Sequence, residues 1–264
     1  MKLYDRDYTL ILNDIEREVY YAQQEYDLRK GLKSNRESPK ISHSNEEIRK
    51  FLWHSTSLFP NNYLHFGEYR NIDFEDEAKK FRDLIYSAKN EQEIQKYIKE
   101  EKKWFIPGGI FLDYNFGHHD AYLFPEQKLG TEYITDYMLI GKNSDGYNIV
   151  LIEFEKANTK YLLDGKNSME SESVRKGLGQ IKAWKQWIEK DRGYFLRNIG
   201  LTQKGIDIPL PRIFYYLVVS RRDYMDQRAL DNRSQTMYEG RNLKIVTFDR
   251  LVDNIRKLKK CHSW

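Results

Sequence analysis

Apolar residues recur at helical spacing through the first third of the chain. In residues 5–33, Tyr8, Ile11, Leu12, Ile15, Val19 and Ala22 follow a period near 3.6 opposite a polar face, which predicts one helix. The polar stretch KSNRESPKISHSNEE predicts a loop or linker, and Ser44 or Asn45 can cap a short helix through Trp53. LFPNNYLHFGEYRNID reads as loop, with room for a short strand. Residues 74–88 return to helical spacing through Phe74, Ala78, Phe81, Leu84 and Ile85. Asn90 can cap a further helix with Ile94, Tyr97 and Ile98 on its apolar face, and Pro107-Gly108-Gly109 should end that segment.

The pattern then changes to short apolar and alternating runs. IFLDYNF, AYLFPEQKLG, YITDYMLIG and YNIVLIEFEK all read as strands. The last two are joined by KNSDG, a turn that suits a hairpin. VRKGLGQIKAWKQWIEKDRGYFLRN predicts a helix with Leu178, Ile181, Trp184, Trp187 and Ile188 on one side. RIFYYLVVSRR is near-continuously apolar, as in a strand covered on both faces. A charged helix over about 221–235 follows, and LKIVTFDRLVDNIRKL predicts a closing strand and helix. The expected organisation is a mainly helical N-terminal region over residues 1–88, regulatory or accessory, and an α/β domain over 89–264 with a mixed sheet flanked by helices.

Composition narrows the class. With 20 Tyr and 13 Phe in 264 residues the chain can fill a core. A net charge of +4 permits nucleic-acid binding without arguing for it. The single cysteine, Cys261, excludes an internal disulfide framework and a cysteine-based zinc site, and it suits a reducing cytoplasm. No apolar run approaches the roughly 18 residues that would span a bilayer, and the charged N-terminus does not read as a signal peptide, so no membrane partner is expected.

The candidate chemistry lies in TDYMLIGKNSDGYNIVLIEFEKAN. Alternation puts Glu153 and Glu155 on one face of a strand and turns Phe154 and Lys156 to the other. Val150, Leu151 and Ile152 do not alternate, so this strand looks central, and the hairpin brings Asp136 level with the two glutamates. Converging buried carboxylates repel one another unless a cation sits between them, and hard oxygen donors suit Mg²⁺ or Mn²⁺. Other features carry less. His118-His119-Asp120 is an incidental loop cluster on base rates, Lys182, Lys185 and Lys190 read as a solvated face, and SRRDYMDQR is a basic segment able to meet phosphate.

The order LGTEYITDYMLI, NIVLIEFEKAN, SVRKGLGQIKAW, preceded by the helix EQEIQKYIKEEKKWF, resembles the PD-(D/E)xK nuclease core and, within it, the Shedu antiphage-defence nuclease domain. The resemblance covers roughly residues 88–258. It implies a restriction-endonuclease-like fold and a Mg²⁺-dependent endonuclease acting on double-stranded DNA in a bacterial antiphage system. It also implies a homo-oligomer, dimer or tetramer, and a phage-derived trigger. Position by position it makes Asp136 and Glu153 metal ligands, with Glu93 as the acid on the first helix. Gln180 becomes the helix glutamine and Asn158 the asparagine after the strand. The family's lysine position holds Glu155, and Lys156 is displaced by one. Three alternatives stay open. Glu155 orients or deprotonates the attacking water, or a bulge swings Lys156 inward, or catalysis is lost. In the last case the domain is an inactive module for nucleic-acid binding or oligomerisation.

Overall fold

The computed structural model describes residues 6–32, 46–64, 72–165 and 169–259. The elements in chain order are α1 (Asp14–Leu32), α2 (Glu46–Ser55), α3 (Phe74–Ser87), α4 (Glu91–Glu100) and the single turn α5 (Phe105–Gly108), which continues as a 3-10 turn over Gly109–Asp113. Next come β1 (Asp120–Pro125), the two-residue strands β2 (Lys128–Leu129) and β3 (Tyr133–Ile134), β4 (Tyr137–Asn143), β5 (Gly146–Phe154) and α6 (Glu172–Asn198). The chain closes with β6 (Ile213–Val218), α7 (Gln227–Glu239), β7 (Leu243–Val246) and α8 (Phe248–Leu258). Among the described residues no helix is long and apolar enough to cross a membrane.

The chain divides into two compact units, Met1–Gly67 and Glu68–Trp264. The division falls before α3, not at 88/89. α3 buries Phe74, Ala78, Phe81 and Ile85 and packs along α8, which ties it to the second unit. The first unit closes around Tyr8, Val19, Ile48, Phe51 and Leu52, with Tyr8 stacked on His54 at 4.1 Å. Its first helix starts later than the periodicity predicts. Asn13 Oδ1 accepts from the Glu16 amide, so residues 6–13 lie outside the helix, and Leu12 and Ile15 are exposed. Ser44, Asn45 and Cys261 lie outside the described residues.

The second unit is built on a five-stranded sheet in the order β1-β4-β5-β6-β7. β1, β4 and β5 are antiparallel, whereas β5, β6 and β7 run parallel. This is the mixed sheet flanked by helices that the sequence predicts. α6 and α7 make the crossovers that parallel neighbours require. β5 sits between β4 and β6 and is buried from Asn148 to Phe154, which explains its unalternating run. α7 starts at Gln227, later than expected, because Asp226 caps it by accepting from the Ala229 amide.

Residues 110–116 are not the strand that IFLDYNF predicts. Ile110 and Phe111 are buried from the 3-10 turn, and the chain is then held by Asp113, whose side chain is 4% exposed. That carboxylate accepts from Arg250 Nε at 2.8 Å and Nη2 at 2.5 Å, from Asn254 Nδ2 at 3.3 Å and from the Tyr216 hydroxyl. Lys244 Nζ donates to the Asp113 carbonyl.

Candidate active site: an acidic cluster at the end of the central strand

β4 and β5 pair as far as Tyr137 opposite Ile152, and Asp136, the residue just before β4, lies against the end of β5. The Asp136 amide donates to the Ile152 carbonyl at 3.2 Å, and Asp136 Oδ2 accepts from the Phe154 amide at 2.6 Å. The aspartate side chain thus takes over a strand hydrogen bond and is fixed against the strand that carries the glutamates. Glu153 and Glu155 are 4% and 1% exposed. The Glu155 amide donates to the Val218 carbonyl at 2.8 Å, so β5 stays regular to that point without a bulge. Lys156 is therefore exposed and faces away from the cluster, as alternation predicts.

Two helices close the site. On α4, Glu91 is buried, and Gln95, one turn later, donates a side-chain hydrogen bond to Asp136. On α6, Lys176 Nζ lies 3.0 Å from Glu155 Oε1 and 3.5 Å from Glu91 Oε1. The Lys176–Glu155 contact is an ion pair between a half-exposed ammonium and a buried carboxylate. Gln180, one turn on, hydrogen-bonds Glu153 through its side chain while its Oε1 is buried without a partner. Gly177 allows this approach. A Cβ there would lie 2.5 Å from Leu217 Cδ1 and 3.1 Å from Glu155 Cγ. A cleft of about 440 Å³ between α4 and the sheet, lined by Gln92, Gln95, Lys96, Lys99 and Tyr137, opens onto Asp136.

The electrostatics follow from burial and crowding. Burial, then Asp136 and Glu155, push Glu153 up to about 9 against the pull of Lys176 and Gln180. Burial also raises Asp136 to about 6, although the Phe154 amide and Gln95 favour its ionised form. Glu155 is raised by burial and held down by Lys176. Burial works against the Lys176 ammonium, but Glu155 and Glu91 outweigh it and raise its pKa.

The structure brings together Asp136, Glu153, Glu155 and Gln180 of the residues singled out in the sequence. Glu93 stands apart. It is exposed and folds back to accept from the Lys89 amide at 3.1 Å, while its own amide donates to Asn90. Glu91 is the acid that α4 presents to the cluster. Asn158 is structural: its Nδ2 donates to the carbonyls of Ile85, Tyr86 and Ala88 at the end of α3. His118 and His119 are exposed, and Asp120 accepts from the Tyr147 hydroxyl at 2.7 Å. In SRRDYMDQR, Arg221 is buried over Tyr86 and Arg222 pairs with Asp253.

Glu91, Gln95 and Lys176 are additions to the expected site. Glu91 could have been found, since it lies three and seven residues before Ile94 and Ile98 and so shares their buried face. Among the described residues, no three His, Cys, Asp or Glu side chains stand ready-made around a metal position. The donor set nevertheless fits a hard divalent cation in its chemistry. Its donors are buried carboxylates that raise one another's pKa, together with Gln180 Oε1 and Glu91 Oε2, which are buried without a hydrogen-bond partner.

A sequence-family profile described as "Shedu protein SduA, C-terminal" matches residues 88–252. No curated protein matches the chain. Similar solved structures include restriction endonuclease FokI at 11% identity and TM-score 0.34, covering 93% of this chain and 44% of that one. FokI bound to DNA matches at 10% identity and TM-score 0.32, covering 72% of this chain and 31% of that one. The chain thus spans less than half the length of either.

Proposed function

Since this chain belongs to the Shedu family through residues 88–252, we propose that it is a divalent-metal-dependent DNA endonuclease of an antiphage system, with a regulatory N-terminal unit. The observation that carries the reading is the convergence of Asp136, Glu153 and Glu155, all buried, at the end of the central strand, where each carboxylate is unfavourable without a cation. Mg²⁺ or Mn²⁺ is the fitting cofactor. Asp136 and Glu153 would hold it, with Glu91 in the place expected of Glu93. When bound, such a cation supplies Lewis-acid stabilisation of the charge that develops on the phosphoryl oxygens.

The chain's own residues do the rest. Asp136 is preorganised by the Phe154 amide and Gln95, so its carboxylate needs no rearrangement to hold a cation. Gln180 steadies Glu153 and leaves one amide oxygen free to orient a water. Glu155, paired with Lys176 at 3.0 Å, can take a proton from that water. The oligomeric partner is a second copy of the chain. Ile15, Tyr21 and Leu28 of α1 are exposed and offer apolar surface for it, and a monomer in light scattering at micromolar concentration counts against this.

Plasmid nicking decides the main reading. Wild type should convert supercoiled double-stranded DNA in Mg²⁺ or Mn²⁺ and not in chelator, and Asp136→Ala should do neither. The occupied lysine position supports one rival, an inactive module. DNA binding without metal-dependent nicking would establish that rival in its place.

A further inference from the structure

Within the nuclease reading, on which this inference rests, we propose that Lys176 on α6 supplies the reacting phosphate with the ammonium that β5 lacks. Glu155 and Glu91 hold it at the mouth of the site. The strand offers no cation of its own. Glu155 stands where a lysine would face the cluster, and Lys156 points to solvent, its carbonyl engaged by the Ser220 amide at 2.9 Å. The cation that reaches the acids comes from the helix instead, 3.0 Å from Glu155 and 3.5 Å from Glu91.

Three features of its setting go beyond simple neutralisation. First, the Lys176 side chain is 54% exposed while those of Glu155 and Glu91 are 1% and 10% exposed. One side of the ammonium meets buried acids and the other is open to an incoming anion. An ammonium has three donors, and its contacts to Glu155 and Glu91 use at most two of them, so one is left to turn outward. Second, Lys176 and Gln180 lie one turn apart on the same face of α6, so the helix presents a cation and an amide to the same place. Third, Gly177 lets that face press on the end of β5. A methyl group there would strike Leu217 and crowd Glu155, so the lysine stem reaches its position because its neighbour has no side chain. A long flexible side chain loses rotamer freedom when it acts, and a carboxylate tether takes up part of that loss beforehand.

The chemistry requires such a charge. A phosphodiester approaching Asp136, Glu153, Glu155 and Glu91 is an anion entering an acidic mouth. In hydrolysis a water oxygen forms the new bond to phosphorus and releases its proton to Glu155. The bond to the leaving oxygen breaks with its electron pair, and that alkoxide takes a proton from bulk water. Negative charge builds on the non-bridging oxygens meanwhile, and a donor aimed there is worth about 10²–10³ in rate.

The test compares wild type, Lys176→Met and Lys176→Arg in Mg²⁺ and in Mn²⁺, with nicking measured at saturating plasmid, DNA affinity by anisotropy, and folding by thermal melting. Lys176→Met should nick about 100-fold more slowly at saturating DNA with affinity nearly unchanged. Lys176→Arg, which keeps a cation beside Glu155 and Glu91, should stay within about 10-fold of wild type. If Lys176→Met is poorly folded, Lys176→Gln takes its place as the uncharged variant. A folded uncharged variant as fast as wild type overturns the proposal, as does a folded Lys176→Arg protein as slow as the uncharged one. Wild type that nicks in neither metal overturns the nuclease reading itself, and this inference with it.

Discussion

Replacing Glu153 by glutamine should stabilise the metal-free protein, by an amount that grows with pH. The carboxyl is 4% exposed, and burial with Asp136 and Glu155 lifts its pKa from an ordinary 4.5 to about 9. Between those values the folded chain binds a proton that the unfolded chain has released, so stability falls as pH rises through that window. Each pH unit within it costs about 1.4 kcal/mol, and by pH 7 the wild type has lost roughly 3 kcal/mol relative to pH 4.5. Glutamine mimics the protonated acid, has no proton to lose and escapes the whole term. For a unit of this size the difference corresponds to a gain of roughly 6–12 °C in melting temperature at pH 7, vanishing near pH 4.5. Divalent metal should reverse the order. A cation present at about 100 times its dissociation constant adds about 2.7 kcal/mol to the protein that binds it, and the variant lacks one ligand charge. Calorimetry of both proteins from pH 4.5 to 8.5, in chelator and in Mn²⁺, measures this directly. A variant less stable than wild type at pH 7 in chelator, or a difference independent of pH, would refute the reasoning.

Two further predictions separate the site from its surroundings. Glu93→Ala and Lys156→Ala should both nick at the wild-type rate, the former losing about 0.5–1 kcal/mol in urea unfolding with the reciprocal cap of α4, because neither side chain reaches the acids. Gly177→Ala should cost about 1–3 kcal/mol in urea unfolding and slow plasmid nicking, since the added methyl displaces Leu217 and Glu155. Unchanged unfolding would show that the helix can retreat freely.

The strands and the acids on them could be read along the chain because both follow from a period of two. Once β5 is placed, the faces of Glu153, Glu155 and Lys156 follow, and the register set by the KNSDG turn brings Asp136 to the end of β5 beside them. What sequence missed depends on tertiary contact. Glu91 and Glu93 both open α4 and differ only in which way the helix is turned, and that is set by Ile94 and Ile98 finding the core. Lys176 resembles any surface lysine until Gly177 shows how near α6 comes to β5. IFLDYNF has strand composition, but burial of Ile110 and Phe111 and the bonds to Asp113 decide in favour of a turn.

The carboxylate of Asp113 also sets an order of assembly. Its guanidinium and amide partners, Arg250 and Asn254, lie 137 and 141 residues further along the chain. A buried carboxylate without its partner costs about 3–5 kcal/mol, and contacts of such sequence separation form late and slowly. On a ribosome, the strands bearing the acidic cluster, β4 and β5, therefore emerge well before the helix that compensates Asp113, and they cannot settle until that helix arrives. Closure of the domain waits on one of its last-made segments, so a chain still in synthesis holds the ingredients of the site without the packed frame that would aim them.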